Sequence, residues 1–312
     1  MTLNQQKLLE TGVRMFGLDP NNLLSHHDSE HSIIASYKTG DSSVFLRITR
    51  DTHSSIDIIR GEIDWIEFLS GKGLSVSRPV RSVGGQLVEQ ITADDDTYTT
   101  VCFDGAPGRR ISEADYNIKL FRLMGAFMGK IHNVTKYYKQ TSSRFKRADW
   151  SAEANLIANI ELPESERSII ERYAELRGHI ARLSKSRNSY GLIHADFHHG
   201  NFCMEGDTIH LYDFDACRYS WFADDIAIAV FFATALDHVD DAREKFLGSF
   251  LEGYSLENDL EKGWLEEIPN FIALREIGRY IKLYRASGGR FERLHQWGRS
   301  YMQNRKERIL RL

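Results

Sequence analysis

The chain has 312 residues, a formal net charge of −4, 42% hydrophobic and 27% charged residues. That profile belongs to a globular protein with room for two lobes or two small domains. Mild acidity without an extended basic face argues against nucleic acid as the main partner. The three cysteines, Cys102, Cys203 and Cys217, are too few and too odd in number for a disulfide scaffold, and they point to a reducing compartment.

Met1-Thr2-Leu3-Asn4-Gln5-Gln6-Lys7 lacks the apolar core of a signal peptide, and no apolar run is long enough to span a bilayer. The expectation is a cytoplasmic protein without a membrane partner. Leu8, Leu9, Gly12, Val13 and Phe16 recur at helical spacing and predict a short N-terminal helix. From His31 to Thr49 two β-rich runs flank Gly40-Asp41, which predicts a hairpin. Ile58, Ile59, Glu62, Ile63, Trp65, Ile66 and Leu69 predict a second helix, ended by Gly71 and Gly73. Short strands are expected around 79–83, 86–91 and 98–103. Phe103-Asp104-Gly105-Ala106-Pro107-Gly108 then breaks the pattern as a connector. Beyond Ser112 the chain reads as mostly helical. The boundaries that follow are 1–103 for a β-rich lobe, 104–111 for a hinge and 112–312 for a helical lobe, an α+β architecture with two lobes.

The chemistry concentrates in two short stretches. His194-Ala195-Asp196-Phe197-His198-His199-Gly200-Asn201 has the form H-x-D-x-x-x-x-N, and Asp213-Phe214-Asp215 follows twelve residues after Asn201. One carboxylate that orients a hydroxyl, with an amide and a second carboxylate that hold a metal, is the set phosphoryl transfer from ATP requires. Any one of these residues alone reads as a turn or a cap; the three at this spacing are far more specific. Mg²⁺ favours hard oxygen ligands and few protein carboxylates, which Asn201 and Asp213 satisfy. Asp196 is the candidate catalytic base, or the group that positions the acceptor hydroxyl. Asp215 reads equally as a second metal ligand or as a local structural group. A zinc reading of His194, His198, His199 and Cys203 meets no established ligand spacing and no C-x-x-C pair. Cys203 and Cys217 read instead as small buried hydrophobes.

These stretches resemble the aminoglycoside phosphotransferase and choline kinase superfamily, whose bacterial members carry H-G-D-L-H-x-G-N and then D-F-D or D-F-E. The protein-kinase counterpart is H-R-D-x-x-x-x-N followed by D-F-G; here Ala195 stands for the Arg and Asp215 for the Gly. The resemblance is specific between Ile193 and Ala227 and is an outline elsewhere. It implies a two-lobed kinase-like fold, ATP and Mg²⁺ as cofactors, and a small-molecule hydroxyl acceptor: an aminoglycoside, a choline-like alcohol, homoserine or a related amino alcohol. It implies nucleotide binding by Arg47 in the strand Val44–Ile48 with Glu62 as its ion-pair partner, and by the hinge strand Cys102-Phe103-Asp104. His194 takes a structural role, and His198 matches the second histidine of the pattern. The segment 28–32, expected to cover the phosphates, has no glycine. Asp225, in Trp221–Ala227, should cap a helix or brace the catalytic loop. Ten acidic residues between Ala235 and Ile268 read either as a solvated helical face or as a rim that attracts a cationic acceptor. The basic stretch 275–311 balances that charge. Other functions left open are a bacterial protein Ser/Thr kinase, a non-catalytic nucleotide-binding protein and a zinc-held structural module.

Overall fold

The helical spacing of Leu8, Leu9 and Val13 is realised in α1 (Leu3–Met15), which buries all three against the first sheet. The computed structural model describes residues 3–29, 32–236 and 240–311. Strands β1 (Leu23–Asp28), β2 (Ser32–Thr39) and β3 (Ser42–Arg50) follow. Thr39 faces Ser42, so Gly40-Asp41 is a two-residue hairpin loop, with Gly40 at φ 60° as such turns demand. Next come α2 (Ile56–Gly71), β4 (Pro79–Val80), β5 (Glu89–Ala93) and β6 (Asp96–Asp104). The sheet runs β1-β2-β3-β6, and β6 pairs along its far side with both β4 and β5, all antiparallel. The strand expected over 79–83 stops at Val80. The one expected from Gln86 begins only at Glu89.

β7 (Arg109–Arg110) was not legible in the sequence. α3 (Ile118–Thr135), α4 (Trp150–Ala158), α5 (Arg167–Ile180) and β8 (Tyr190–Ile193) lead to the catalytic-type motif. β9 (Phe202–Glu205) and β10 (Thr208–Leu211) form a hairpin, and β7 pairs with β9. β11 (Arg218–Trp221), α6 (Phe222–Thr234), α7 (Asp240–Tyr254), α8 (Lys262–Ser287), α9 (Gln296–Met302) and α10 (Arg305–Ile309) complete the chain.

Two compact units result. The first comprises Met1–Ile111, Tyr137–Arg147 and Gly200–Asp215; the second comprises Ser112–Lys136, Ala148–His199 and Ala216–Leu312. The first unit therefore reclaims two segments from the stretch the sequence assigns to the helical lobe. The segment 137–147 is held there by polar contacts. Asp64 of α2 accepts the Tyr138 hydroxyl at 2.6 Å and the Thr141 N–H at 3.1 Å, and Arg147 donates to the Ile58 carbonyl at 3.1 Å.

The second unit is helical, with one antiparallel strand pair among its described residues, β8 with β11, pairing Ile193 with Arg218 and Tyr190 with Trp221. α6 is buried from Phe222 to Phe231 and is accordingly apolar on every side apart from Asp224 and Asp225. α3 and α7 approach closely because Gly125 has no side chain: a Cβ there would overlap the Phe250 carbonyl. Ile157, Tyr173, Leu176, Ile277 and Tyr280 bring α4, α5 and α8 into one core. Among the described residues no helix is long and apolar enough to cross a membrane.

Candidate active site

In the first unit, a cavity of about 410 Å³ is lined by Arg47, Glu62, Phe103, Asp104 and Asp213. Five of the residues singled out from sequence thus meet on one surface. Arg47 leaves β3 and Glu62 leaves α2. Their side chains pair at 2.7 Å, and Glu62 is 1% exposed. The guanidinium also lies 5.3 Å from the Phe103 ring centroid. Burial disfavours the charged Arg47, but Glu62 outweighs it, Asp215 and Asp213 add to the effect, and the pKa rises. Arg47 Nε and Glu62 Oε1 are buried without a hydrogen-bond partner among the described residues. Orphaned polar atoms of this kind are costly unless a ligand or water satisfies them.

Asn201 ends the turn His199–Asn201 and is buried. Its carbonyl accepts the Tyr212 N–H at 2.9 Å, and the Tyr212 hydroxyl donates to the Gly200 carbonyl at 2.7 Å. The β9–β10 register therefore sets Tyr212 opposite Asn201, and Asp213 is the next residue. Asp213 is held at φ 65°, a left-handed conformation that aspartate tolerates better than most residues. Phe214 packs edge-on to Trp65 at 5.5 Å, and the Asp215 carbonyl accepts from Arg147. An amide and a carboxylate so placed suit a hard cation that draws its other oxygens from phosphate and water. Among the described residues no three His, Cys, Asp or Glu side chains gather as a metal site, so the histidines and cysteines do not form the zinc cluster weighed from their spacing.

Cys102 stands apart from the other nucleotide candidates. Its thiol lies in the sheet core with Leu46 and Ile48, and burial pushes its pKa up to about 12. β6 is flanked by β3 and β4 at this point, the Asp104 N–H is given to the Arg78 carbonyl at 2.9 Å, and the Gly105 N–H to the Ser43 carbonyl at 2.8 Å. Several cavity residues were not expected there from sequence: Phe45, Ile66, Ser77, Arg110, Cys203 and Tyr212. Alternation along β3 put Phe45 and Arg47 on one face, which was a usable signal. Glu30 and His31 of the expected phosphate-covering segment lie outside the described residues.

In the second unit, β8 delivers the chain to His194, and Asp225 in the first turn of α6 braces it. Its carboxylate accepts the His194 N–H at 3.0 Å, the Ala195 N–H at 2.9 Å and His132 Nε2 at 3.1 Å. His132 Nδ1 then faces the Tyr254 hydroxyl at 2.9 Å, and Asn258 donates to that hydroxyl at 2.7 Å. Burial lowers the His132 pKa despite Asp225. A neutral ring that donates through Nε2 and accepts at Nδ1 satisfies every link of this chain. His194 is 1% exposed, and its Nδ1 accepts the Asp196 N–H at 3.3 Å, a structural role.

Asp196 lies 3.4 Å from His198 Nε2 and 3.7 Å from the Arg275 guanidinium. Burial opposes its charge, but His198, Arg275 and His194 prevail and hold it at about 2. A carboxylate this weakly basic is better suited to orienting a hydroxyl than to removing its proton. His198 rests against the Phe232 ring at 4.5 Å, and His199 Nδ1 meets the Tyr116 hydroxyl at 2.6 Å.

The acidic run is largely solvated or paired. Glu252 meets Arg122 at 2.5 Å, Glu257 meets Lys130 at 3.4 Å and Glu267 meets His179 at 2.8 Å. Asp241, Asp259, Glu261 and Glu266 are exposed, and Asp237 lies outside the described residues.

The model of the phosphotransferase enzyme family matches residues 35–266. An amicoumacin kinase of Bacillus subtilis (strain 168) is 31% identical over 287 residues, 90% of this chain and 85% of its own. A solved amicoumacin kinase, hAmiN, in complex with AMP-PNP, Ca²⁺ and Ami, is 32% identical. It superposes with a TM-score of 0.88 over 98% of this chain and 93% of its own. A microcompartment-associated aminopropanol kinase shares the fold, with a TM-score of 0.79 at 20% identity over 98% and 97% of the two chains.

Proposed function

The chain belongs to the phosphotransferase enzyme family and is an enzyme of the kinase type; from that premise we propose that it moves the γ-phosphoryl group of ATP, with Mg²⁺, to a hydroxyl of a small metabolite or antibiotic. The carrying observation is the buried Arg47–Glu62 pair: both residues line the cavity that Asp213 also lines, and Arg47 Nε and Glu62 Oε1 have no hydrogen-bond partner among the described residues. Arg47 binds phosphate oxygens through its fork of donors, kept in place by Glu62. Phe103 and Asp104, with the Cys102 backbone before them, border the adenine. Asn201 and Asp213 would hold Mg²⁺, which would supply counter-charge to the phosphates. Asp196, ionised at neutral pH, orients the acceptor hydroxyl, and the alignment of reacting groups supplies most of the acceleration. Similarity to kinases of amicoumacin and aminopropanol supports a small acceptor over a protein one. The working enzyme is expected in the cytoplasm, where ATP is supplied.

The test is an ATP-consumption screen over amino alcohols, hydroxy acids, sugars and aminoglycosides, run beside Asp196→Asn. Turnover of an accepted substrate should fall by roughly a hundredfold or more in that variant as the hydroxyl loses its alignment, with AMP-PNP affinity preserved. Near-wild-type turnover by the variant would refute the role of Asp196.

A further inference from the structure

The basic stretch that begins at Arg275 does more than balance charge. Arg275, Arg279 and Lys282 follow one another on α8 at spacings of four and three, so they share a helix face. Arg218 from β11 joins them around a small cavity of about 40 Å³. Two carboxylates face this group. Glu153 takes Arg218 at 2.8 Å and also pairs with Lys282, while Asp224 takes Arg218 at 3.1 Å and the Ser220 hydroxyl at 2.7 Å. Their hydrogen bonds go to Arg218, Lys282 and Ser220.

Arg275 and Arg279 are left short of acceptors. The carboxylates nearest Arg275 are Asp196 at 3.7 Å and Glu153 at 3.9 Å, both beyond hydrogen-bond reach, and its Nε is buried without a partner among the described residues. Arg279 makes no ion pair among the described residues; its guanidinium lies 5.9 Å from the ring centroids of both Phe232 and Trp297. Arg275 lies over Phe232 as well, at 5.4 Å. Aromatic faces hold guanidinium planes in place while leaving their N–H edges open, and those edges match a carboxylate in two parallel hydrogen bonds.

We propose that Arg275 and Arg279 form a carboxylate-binding subsite for the acceptor, so that the enzyme phosphorylates a hydroxy acid whose hydroxyl lies at Asp196 and whose carboxylate lies against the two arginines. This rests on the kinase reading of Asp196 and goes beyond it by naming the acceptor class. A purely cationic acceptor would meet two under-neutralised arginines, and the acidic run that could have attracted it is paired with Arg122, Lys130 and His179 or faces solvent.

The experiment uses the whole protein saturated with AMP-PNP and Mg²⁺, titrated calorimetrically with glycolate and L-homoserine, each against its amide, and with inorganic sulfate. Glycolate should bind about tenfold or more tighter than its neutral amide; the L-homoserine amide keeps its ammonium and is a cation, so that pair is read only for whether the acid binds. Arg279→Gln should erase the glycolate preference, and Arg279→Lys should retain part of it. No binding of either acid, equal affinity for glycolate and its amide, or an undiminished preference in Arg279→Gln would each overturn the proposal. Sulfate binding as tightly as the acids, with the same dependence on Arg279, would overturn it in favour of a general anion site. AMP-PNP affinity is measured in the same cell and does not involve Arg279. Its failure would sink the kinase reading, while the acid–amide comparison on the free protein still reads the subsite.

Discussion

Asp225 Oδ1 accepts the N–H of Ala195 at 2.9 Å, and Ala195 sits at φ 64°. A left-handed alanine costs about 1–2 kcal/mol. It persists because the carboxylate fixes two successive amides and is itself held by His132. Asp225→Asn keeps the shape but loses one acceptor oxygen, leaving an amide orphaned at a cost of roughly 1–3 kcal/mol. Urea unfolding should report that loss, and kcat should fall with it while nucleotide affinity holds. Adding Ala195→Gly, which needs no such restraint, should return part of the activity. A double variant no better than the single one would show that backbone strain is not what Asp225 restrains.

Metal dependence should follow the charge of the ligand. Asp213→Ala should weaken Mg²⁺-dependent ATP binding by on the order of tenfold or more, and Asn201→Ala by less, since a carboxylate compensates more of the cation's charge than an amide does. ATP titrations with and without Mg²⁺ give the comparison. Unchanged metal dependence in both variants would remove these residues from the ligand set.

Glu62→Gln should cost more than its surface area suggests. It leaves the buried Arg47 charge without its partner, a loss of about 3–5 kcal/mol for such pairs. The Michaelis constant for ATP should rise as Arg47 loosens, with the effect on kcat smaller. Bound nucleotide should recover part of the lost stability, because phosphate oxygens replace the missing counter-charge.

Acid should destabilise the second unit through Glu153. Burial works against its ionisation, but Arg218, Arg275 and Lys282 bring its pKa down from 4.5 to about 2. A depressed carboxylate stabilises the fold above its unfolded pKa, and that stability is lost as pH falls from about 4.5 through 2. Glu153→Gln cannot titrate, so its stability curve should be flatter across that window and lower at neutral pH by about 2–3 kcal/mol. Asp149 and Asp196, also held at about 2, keep a residual slope in both proteins.

What could be read from the chain was what is local. The Gly40-Asp41 turn, the periodicity of α2 and the spacing of Asp196, Asn201 and Asp213 each depend on residues close together, and the Arg47–Glu62 pair needs only a strand and the helix after it. The His132–Tyr254–Asn258 chain behind Asp225 was not readable, because 122 residues separate His132 from Tyr254 and only the packing of α3 on α7 joins them. β7 is two residues long and exists through pairing with β9, which leaves no periodicity to detect. The acidic run stayed open between two readings for a related reason: sequence counts carboxylates, while burial and pairing decide which ones exert a field.

Cys203 gives the molecule a built-in clock. Its thiol lies on the wall of the cavity that holds Arg47, 7% exposed, and burial keeps it protonated and slow to react. Cys102 and Cys217, at 0% and 1%, are sealed in packed interiors and should alkylate only when the fold opens. Iodoacetamide labelling should therefore run at two speeds. The faster measures how often the cavity wall breathes and should slow when nucleotide fills the space. The slower measures global opening, so a single reagent can separate a lost ligand from a lost fold.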